Sequence, residues 1–388
     1  MNFDLPEEFR MLHDLVSAFV KDHLLPLEPT VLAREAEGKG FMLLAEERAA
    51  LDSASKALGL WGLDAPESMG GVDLPAIALV GVNEAIGSSM VPYVLPPDSP
   101  NLRMLDATVN AQQRQRYLEP YLRGETVSAI AISEPGAGSD PAAMSTRAKR
   151  NDQGWLLNGR KIWISKADKA DHIITMAVTD KSLGARGGIS AFLVDRDAPG
   201  LSVARDISMI GGNVTYELAL ENCQLPEDAL LGDEGKGFAP MQLRLSTRRL
   251  EMASWCIGIA QRALDMLLNY APQRTTFGSA LADKQTVQNW IAEAETAIHA
   301  ARLMAWHTAW MLDNGHSVRR EVSMLKAHAT EMAWQVVDRT MQAYGGMGMT
   351  KELPLQQMAN EVRLMRIYDG PTEIHKWVVA REALARAN

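Results

Sequence analysis

The sequence changes its hydrophobic rhythm twice. Up to about residue 125, apolar side chains recur at helical spacing. Phe9, Leu12, Val16, Phe19 and Val20 do so behind Pro6, a residue suited to a helix start. A second apolar helix is predicted over 75–90, after the turn-rich Met69-Gly70-Gly71, and a third over 112–122, ending near Gly124. From 126 to 235 the pattern breaks into short runs separated by Gly, Pro and Asp. Strands are predicted at 126–132, 172–178, 189–194 and 214–220, with two more in 154–164 around Asn158-Gly159, a hairpin-turn dipeptide. From about 237 helical spacing returns. Val287, Ile291, Ala294, Ile298, Ala301 and Ala305 mark a long helix ending at Asn314-Gly315, and further helices follow over 317–344, 352–364 and 372–386. The expectation is an α+β chain, mainly helical. Its parts are an N-terminal helical domain (1–125), a central antiparallel β domain (126–235) and a C-terminal helical domain (236–388).

Length and composition agree with such a chain. Its 388 residues are 47% hydrophobic and 22% charged, ordinary values for a folded protein of two or three domains. The net charge of −9 argues against nucleic acid or an anionic membrane as main partner, because both require basic patches. Two distant cysteines, Cys223 and Cys256, form neither a disulfide framework nor metal-ligand spacing, so no metal is expected and a reducing compartment fits. The first ten residues lack the layout of a secretory or transit segment, and no apolar run approaches the roughly 18 residues of a membrane span. A cytoplasmic protein is the expectation.

Several motifs are absent. There is no GxGxxG, Walker A, HExxH or GxSxG sequence. Five stretches offer chemistry, each with a plainer reading beside it. Ser-Glu-Pro-Gly-Ala-Gly-Ser-Asp at 133–140 is either a Gly-rich turn or a loop whose backbone approaches a flat or phosphorylated ligand. Asn-Gly-Arg-Lys-Ile-Trp-Ile-Ser at 158–165 is either a half-buried strand or an aromatic wall with a hydroxyl two residues on. Arg274-Thr275-Thr276-Phe277-Gly278 groups a cation, two hydroxyls and an aromatic ring, and Gln342-Ala-Tyr-Gly-Gly346 permits close backbone approach. Tyr-Asp-Gly-Pro-Thr-Glu-Ile-His at 368–375 sets an acid before a helix start, which is also what a capping turn looks like.

Taken in order, these stretches resemble the acyl-CoA dehydrogenase family over nearly the whole chain. The resemblance is carried by SEPGAGSD (133–140), NGRKIWIS (158–165), LLGDEGKGF (230–238), GIAQRALD (258–265), QRTTFG (273–278), QAYGGMGMT (342–350) and IYDGPTEIH (367–375). It implies a helical domain, a β domain and a C-terminal four-helix bundle with FAD bound between the last two. It also implies α,β-dehydrogenation of an acyl-CoA in fatty-acid metabolism, electron-transferring flavoprotein as acceptor, and a homotetramer.

By position, Ile132, Ser133, Trp163 and Ser165 would meet the flavin. Arg274 and Phe277 would meet the diphosphate or adenine portion, and Gln342 and Gly346 the adenine end, these four across a subunit interface. Thr372 and Glu373 would contact FAD again. Ser139, Arg249 and Gly370 would hold the acyl-CoA, the last through its place beside the base. Asp369 would be that base, since a proton next to a thioester needs a carboxylate in a water-poor pocket.

Three departures from the family pattern stand out. Asp369 replaces the usual Glu, which shortens the reach by one methylene. Pro371 replaces a Thr that contacts FAD, so Thr372 is expected to take over. Glu251 follows Arg248-Arg249 on a helix that carries the base in some members, although the matching position is Arg248; Asp369 is preferred to Glu251. The shorter acid also keeps two alternatives in view. One is a flavin oxidase acting on a nitroalkane or acyl-CoA, and the other is a weakly catalytic acyl-CoA-binding protein.

Overall fold

A computed structural model describes residues 6–387. The chain opens with α1 (Glu7–Phe19), whose N-cap is Pro6 and which continues through a wider turn, Val20–Leu24. Then come α2 (Glu28–Ala36), α3 (Ala45–Ala57), α4 (Ala76–Gly87) and α5 (Ser99–Asp106). A short α6 (Ala111–Gln113) runs through the wider turn Arg114–Leu118 into α7 (Glu119–Arg123) and stops at Gly124, whose φ is 76°. A left-handed glycine of this kind closes a helix without a Cβ clash.

The β block follows as β1 (Ser128–Ala131), β2 (Arg147–Asn151), β3 (Gly154–Ile164), β4 (His172–Val178), β5 (Ile189–Asp195), β6 (Leu201–Ser208), β7 (Val214–Leu225) and β8 (Leu230–Leu231). The sheet order is β6-β7-β3-β2-β4-β5-β8, with β1 beside β4. It is antiparallel except that β1 runs parallel to β4 and β2 touches β4 in parallel at Arg147 and Val178. Asn158-Gly159 does not turn the chain. Residues 154–164 form one strand with an irregularity between Leu157 and Gly159, and the tight turn lies before it, between Asn151 and Gly154. Gly159 serves close approach instead, since a Cβ there would stand 2.3 Å from Thr146 Oγ1. Of the longer strands, β2 and β6 escaped the sequence reading: most of their side chains are exposed, β2 is largely charged, and β6 mixes apolar with polar residues and so shows no apolar run.

The C-terminal part is α8 (Phe238–Tyr270), a small hairpin of β9 (Thr275–Thr276) and β10 (Ser279–Ala280), α9 (Gln285–Asp313), α10 (Arg319–Tyr344), α11 (Leu355–Met365) and α12 (Thr372–Ala387). One large core joins α8, α9, α10 and α11, with Ile257, Leu264, Ile298, Leu325, Val336 and Met358 buried in it.

The N-terminal helices dock on this bundle where α4 crosses α8. A Cβ on Gly258 would fall 2.0 Å from Glu84 O, and one on Gly87 would fall 2.5 Å from Trp255 O. Only glycine lets the two backbones come this close. Asp313, at the end of α9, accepts the Ala76 and Ile77 N–H groups at 2.7 and 3.0 Å, so the bundle caps α4. Arg262 on α8 makes a bidentate pair with the buried Glu28 at 2.7 and 2.6 Å. These contacts fix α2 and α4 against α8; α5 also packs on α8, and the charged residues described next lie along that junction.

Candidate active site

The loop after β1 and the end of β3 are held together by a buried ion pair. Lys161 Nζ lies 2.9 Å from Glu134 Oε1 and donates to Ile132 O at 3.0 Å. Glu134 also accepts Ser145 N–H and Oγ–H and Thr146 N–H. Burial alone would raise the Glu134 carboxyl, but Lys161 and these donors outweigh it and bring it down to about 2. Burial pushes the Lys161 amine down to about 8 against the pull of Glu134. The Ile162 N–H then donates to Ser133 O at 2.9 Å. Ile132 and Ser133 are thereby tied to the end of β3, which carries Trp163 and leads into Ser165. Trp163 has a φ of 63° and is 51% exposed. An indole held out in a backbone conformation that costs a β-strand residue about 1 kcal/mol or more is a ready wall for a flat ring. Ser139 is exposed in the loop that follows.

Asp369 lies between α11 and α12 with a φ of 54°. Two cations, the half-buried Arg249 and the buried Lys326, hold the backbone at Asp369 and Gly370. Arg249 Nε donates to Asp369 O at 2.9 Å, and Lys326 Nζ donates to Gly370 O at 2.6 Å. Burial lowers both cations, Lys326 to about 8. Gly370, with a φ of 103°, cannot be replaced without contact, because a Cβ would stand 2.9 Å from His375 Nε2. Burial, with Arg249 and Lys326 nearby, pushes His375 down to about 3, so it is neutral. Thr372 is buried and donates its hydroxyl to Glu331 at 2.9 Å, while Glu373 is exposed on the first turn of α12. Glu331 also accepts from Arg366 at 3.0 Å.

Facing Asp369 from α8 and the start of α5 is a group of charges. Arg244 Nη1 is 3.5 Å from Asp369 Oδ1, and Arg244 Nε donates to Asn101 Oδ1 at 2.9 Å. Arg248 pairs with Asp98, which also meets Lys166 at 3.2 Å. Burial would raise Asp98, but Arg248, Lys166 and Arg244 hold it well below the usual carboxylate range. Glu251 is buried with Oε2 3.0 Å from Arg248 Nη1, and burial pushes its carboxyl up to about 7. It also lines a cavity of about 350 Å³ between α4 and α8, with Leu79, Val80 and Leu250 among its walls. Glu251 therefore lies near the group around Asp369, but its nearest charge is a firmly held arginine.

The remaining expected residues sit elsewhere on the bundle. The ring of Tyr270, at the end of α8, stacks on that of Tyr344, at the end of α10, with centroids 4.0 Å apart. This sets the turn carrying Arg274 and Phe277 beside the last turn of α10, which carries Gln342, and the glycine segment after it, which carries Gly346. All four are exposed, and Phe277 has a φ of 49° with its ring fully in solvent. Among the described residues, no hydrogen bond or ion pair joins these four to Trp163 or Asp369 within one chain. Two aromatic side chains exposed at positive φ, together with a cation and backbone-rich turns, fit an extended ligand with one flat ring system. Among the described residues no cluster of His, Cys, Asp or Glu could hold a metal ion, and no helix is long and apolar enough to cross a membrane.

Sequence reasoning missed Arg244, Asp98, Lys166 and Lys326. For Arg244 a signal existed. Arg244, Arg248 and Glu251 share one face of a helix that must be buried in the bundle, and a charged stripe there needs partners. Asp98, Lys166 and Lys326 carry no local signature, because their partners lie far away in sequence.

The chain matches three family descriptions in order: Acyl-CoA dehydrogenase, N-terminal domain, over 6–125; middle domain, over 129–223; and C-terminal domain, over 235–384. It is 40% identical to (R)-benzylsuccinyl-CoA dehydrogenase of Thauera aromatica, across 99% of this chain and 97% of that one. It is 33% identical to the human mitochondrial short-chain specific acyl-CoA dehydrogenase, across 98% and 91%. The solved structure of butyryl-CoA dehydrogenase from Megasphaera elsdenii superposes with a TM-score of 0.88 at 28% identity, covering 99% and 100%. With three domains matched in sequence and fold, this chain belongs to the acyl-CoA dehydrogenase family, oxidoreductases whose cofactor is FAD.

Proposed function

We propose that the chain oxidises an acyl-CoA thioester to its 2-enoyl-CoA, with Asp369 removing the proton next to the thioester carbonyl. One observation carries the assignment of the base. Asp369 is held at positive φ by Arg249 and Lys326 through the main-chain carbonyls of residues 369 and 370, so neither cation occupies its carboxylate. The only cation near the carboxylate among the described residues is Arg244, at 3.5 Å and beyond hydrogen-bond distance, so a carboxylate fixed through its backbone keeps hydrogen-bonding capacity for a ligand.

Bound FAD supplies the hydride acceptor. The chain's own residues do the rest. Asp369 takes the α proton, and a backbone N–H at the base would serve as a donor for the developing oxyanion. Ile132, Ser133, Trp163 and Ser165 form one wall for the flavin. Arg274, Phe277, Gln342 and Gly346 serve the diphosphate and adenine end, from a neighbouring chain of a homotetramer. Thr372 contributes through its backbone, since its hydroxyl is bonded to Glu331. Ser139 and Arg249 flank the thioester and its CoA. Electron-transferring flavoprotein is the proposed acceptor of the reducing equivalents.

The test is anaerobic titration of the FAD-loaded protein with short, long, branched, cyclic and aromatic acyl-CoAs. Bleaching of the flavin band with formation of one enoyl-CoA per FAD is expected. A flavin that no acyl-CoA bleaches would overturn the reading. Light scattering of the same preparation is expected to give four chains, and an FAD-bearing monomer would overturn the shared cofactor site.

A further inference from the structure

Arg244 is 8% exposed, and among the described residues its guanidinium makes one hydrogen bond, to the neutral amide oxygen of Asn101. Asn101 is itself 2% exposed and donates weakly to Ser128. Among the described residues, the only carboxylate within 4 Å of Arg244 is Asp369, at 3.5 Å, beyond the usual 2.7–3.2 Å of an N–H···O bond. The neighbouring cations are placed differently. Arg248 pairs directly with Asp98 and Glu251, and Lys166 pairs with Asp98. Three cations, Arg244, Arg248 and Lys166, thus face two carboxylates, Asp98 and Asp369, and the Glu251 carboxyl, which burial pushes up to about 7. A buried guanidinium short of an anion is expensive, and its planar fork matches a carboxylate. The shortfall falls on Arg244, beside the proposed base.

We infer that Arg244 binds a second carboxylate, carried by the acyl group, so that the substrate is the CoA monothioester of a short dicarboxylic acid. This rests on the proposed dehydrogenation with Asp369 as base. Distance limits the class. An approach of about 3 Å from Asp369 to the α carbon, the 3.5 Å from Asp369 to Arg244, and a hydrogen bond of about 2.9 Å to the ligand together reach no more than about 9 Å. Long ω-carboxylates do not fit that span, whereas succinyl- and glutaryl-type thioesters do. Substituents on such a backbone are compatible, because the carboxylate alone is recognised. Arg244 is then a specificity-determining residue, and a neutral fatty acyl group leaves its guanidinium without an anion of its own.

The experiment compares matched pairs that differ only in charge. Succinyl-, methylsuccinyl- and glutaryl-CoA are each set against the corresponding terminal carboxamide, with butyryl-CoA as a neutral reference. Anaerobic stopped-flow reduction of the FAD-loaded enzyme gives the reduction rate and the dissociation constant for each. At least one carboxylate is expected to exceed its carboxamide by about tenfold or more in rate over dissociation constant, as loss of a charge-assisted bond requires. In Arg244→Gln that ratio is expected to fall towards one, and Arg244→Lys is expected to keep part of it. A purely structural Arg244 would slow both members of a pair alike and leave the ratio unchanged.

Equal reduction of carboxylate and carboxamide by the unmodified enzyme overturns the inference while leaving the dehydrogenase reading intact. An unchanged ratio in Arg244→Gln does the same. Failure of every thioester, butyryl-CoA included, overturns the dehydrogenase reading and this inference with it. If Arg244→Gln loses FAD or melts early, the carboxylate and carboxamide pairs with the unmodified protein still decide.

Discussion

Arg249 bonds the main-chain oxygen of Asp369, at 2.9 Å from its Nε, and not the carboxylate. The cation therefore aims the base without neutralising it. Arg249→Ala is expected to slow flavin reduction by about tenfold or more, because small displacements of a reacting group are costly. FAD content should stay near one per chain. Equal reduction rates across several acyl-CoAs would make Arg249 an ordinary helix charge of little consequence.

Asp369→Asn preserves shape and hydrogen-bonding capacity but cannot accept a proton. Flavin reduction is expected to fall by about 10²–10⁴-fold, with FAD and acyl-CoA binding retained. If Asp369 only caps the helix after it, the variant will instead melt lower, by about 1 kcal/mol of stability, and react normally. Rapid-reaction absorbance and a thermal melt separate the two. A normal rate would move attention to Glu251→Gln.

Gly370→Ala tests the loop itself. The added methyl would stand 2.9 Å from His375 Nε2, at a backbone φ of 103°. We expect a loss of about 1–3 kcal/mol in stability and a lower reduction rate, since residue 369 moves with its neighbour. A variant that melts and reacts like the parent would show that the loop tolerates a different path.

Glu251 gives the protein a pH signature. Burial raises its carboxyl from the ordinary 4.5 to about 7 in the folded chain. The folded state therefore holds the proton more tightly than the unfolded state. The resulting stabilisation is complete below pH 4.5 and is lost as pH rises through 7. Glu251→Gln removes this term. The melting temperature of the Gln variant, relative to the parent, is expected to rise between pH 5 and pH 8. A difference that stays flat over that window would mean that the Glu251 carboxyl is not desolvated.

Much of the architecture was readable because it rests on local rhythm. The helices over 285–313 and 319–344 show buried residues every third or fourth position, and the turn at Gly315 follows Asn314 as glycine chemistry requires. What could not be read rests on distant partners. Gly159 looks like a turn residue until Thr146 is known to lie against it. The strand Leu201–Ser208 is mostly exposed, and Arg205 interrupts the alternation of Leu201, Val203 and Ile207. Asp369 was legible through its neighbours in the sequence, whereas Lys326 and Arg244 reach the same loop from other helices. Their roles depend on a junction that only the folded chain creates.

The Lys161–Glu134 pair has a thermal consequence. The free energy lost in stripping water from buried charges falls as temperature rises, while apolar burial gains little more. A loop tied by apolar packing alone would loosen early on warming. The segment from Ile132 to Glu134 is tied instead by an ammonium at 0% and a carboxylate at 3% side-chain exposure. Heat should therefore free the exposed turns at the bundle end first, and the Trp163 side of the pocket should hold its shape nearer to the global melt.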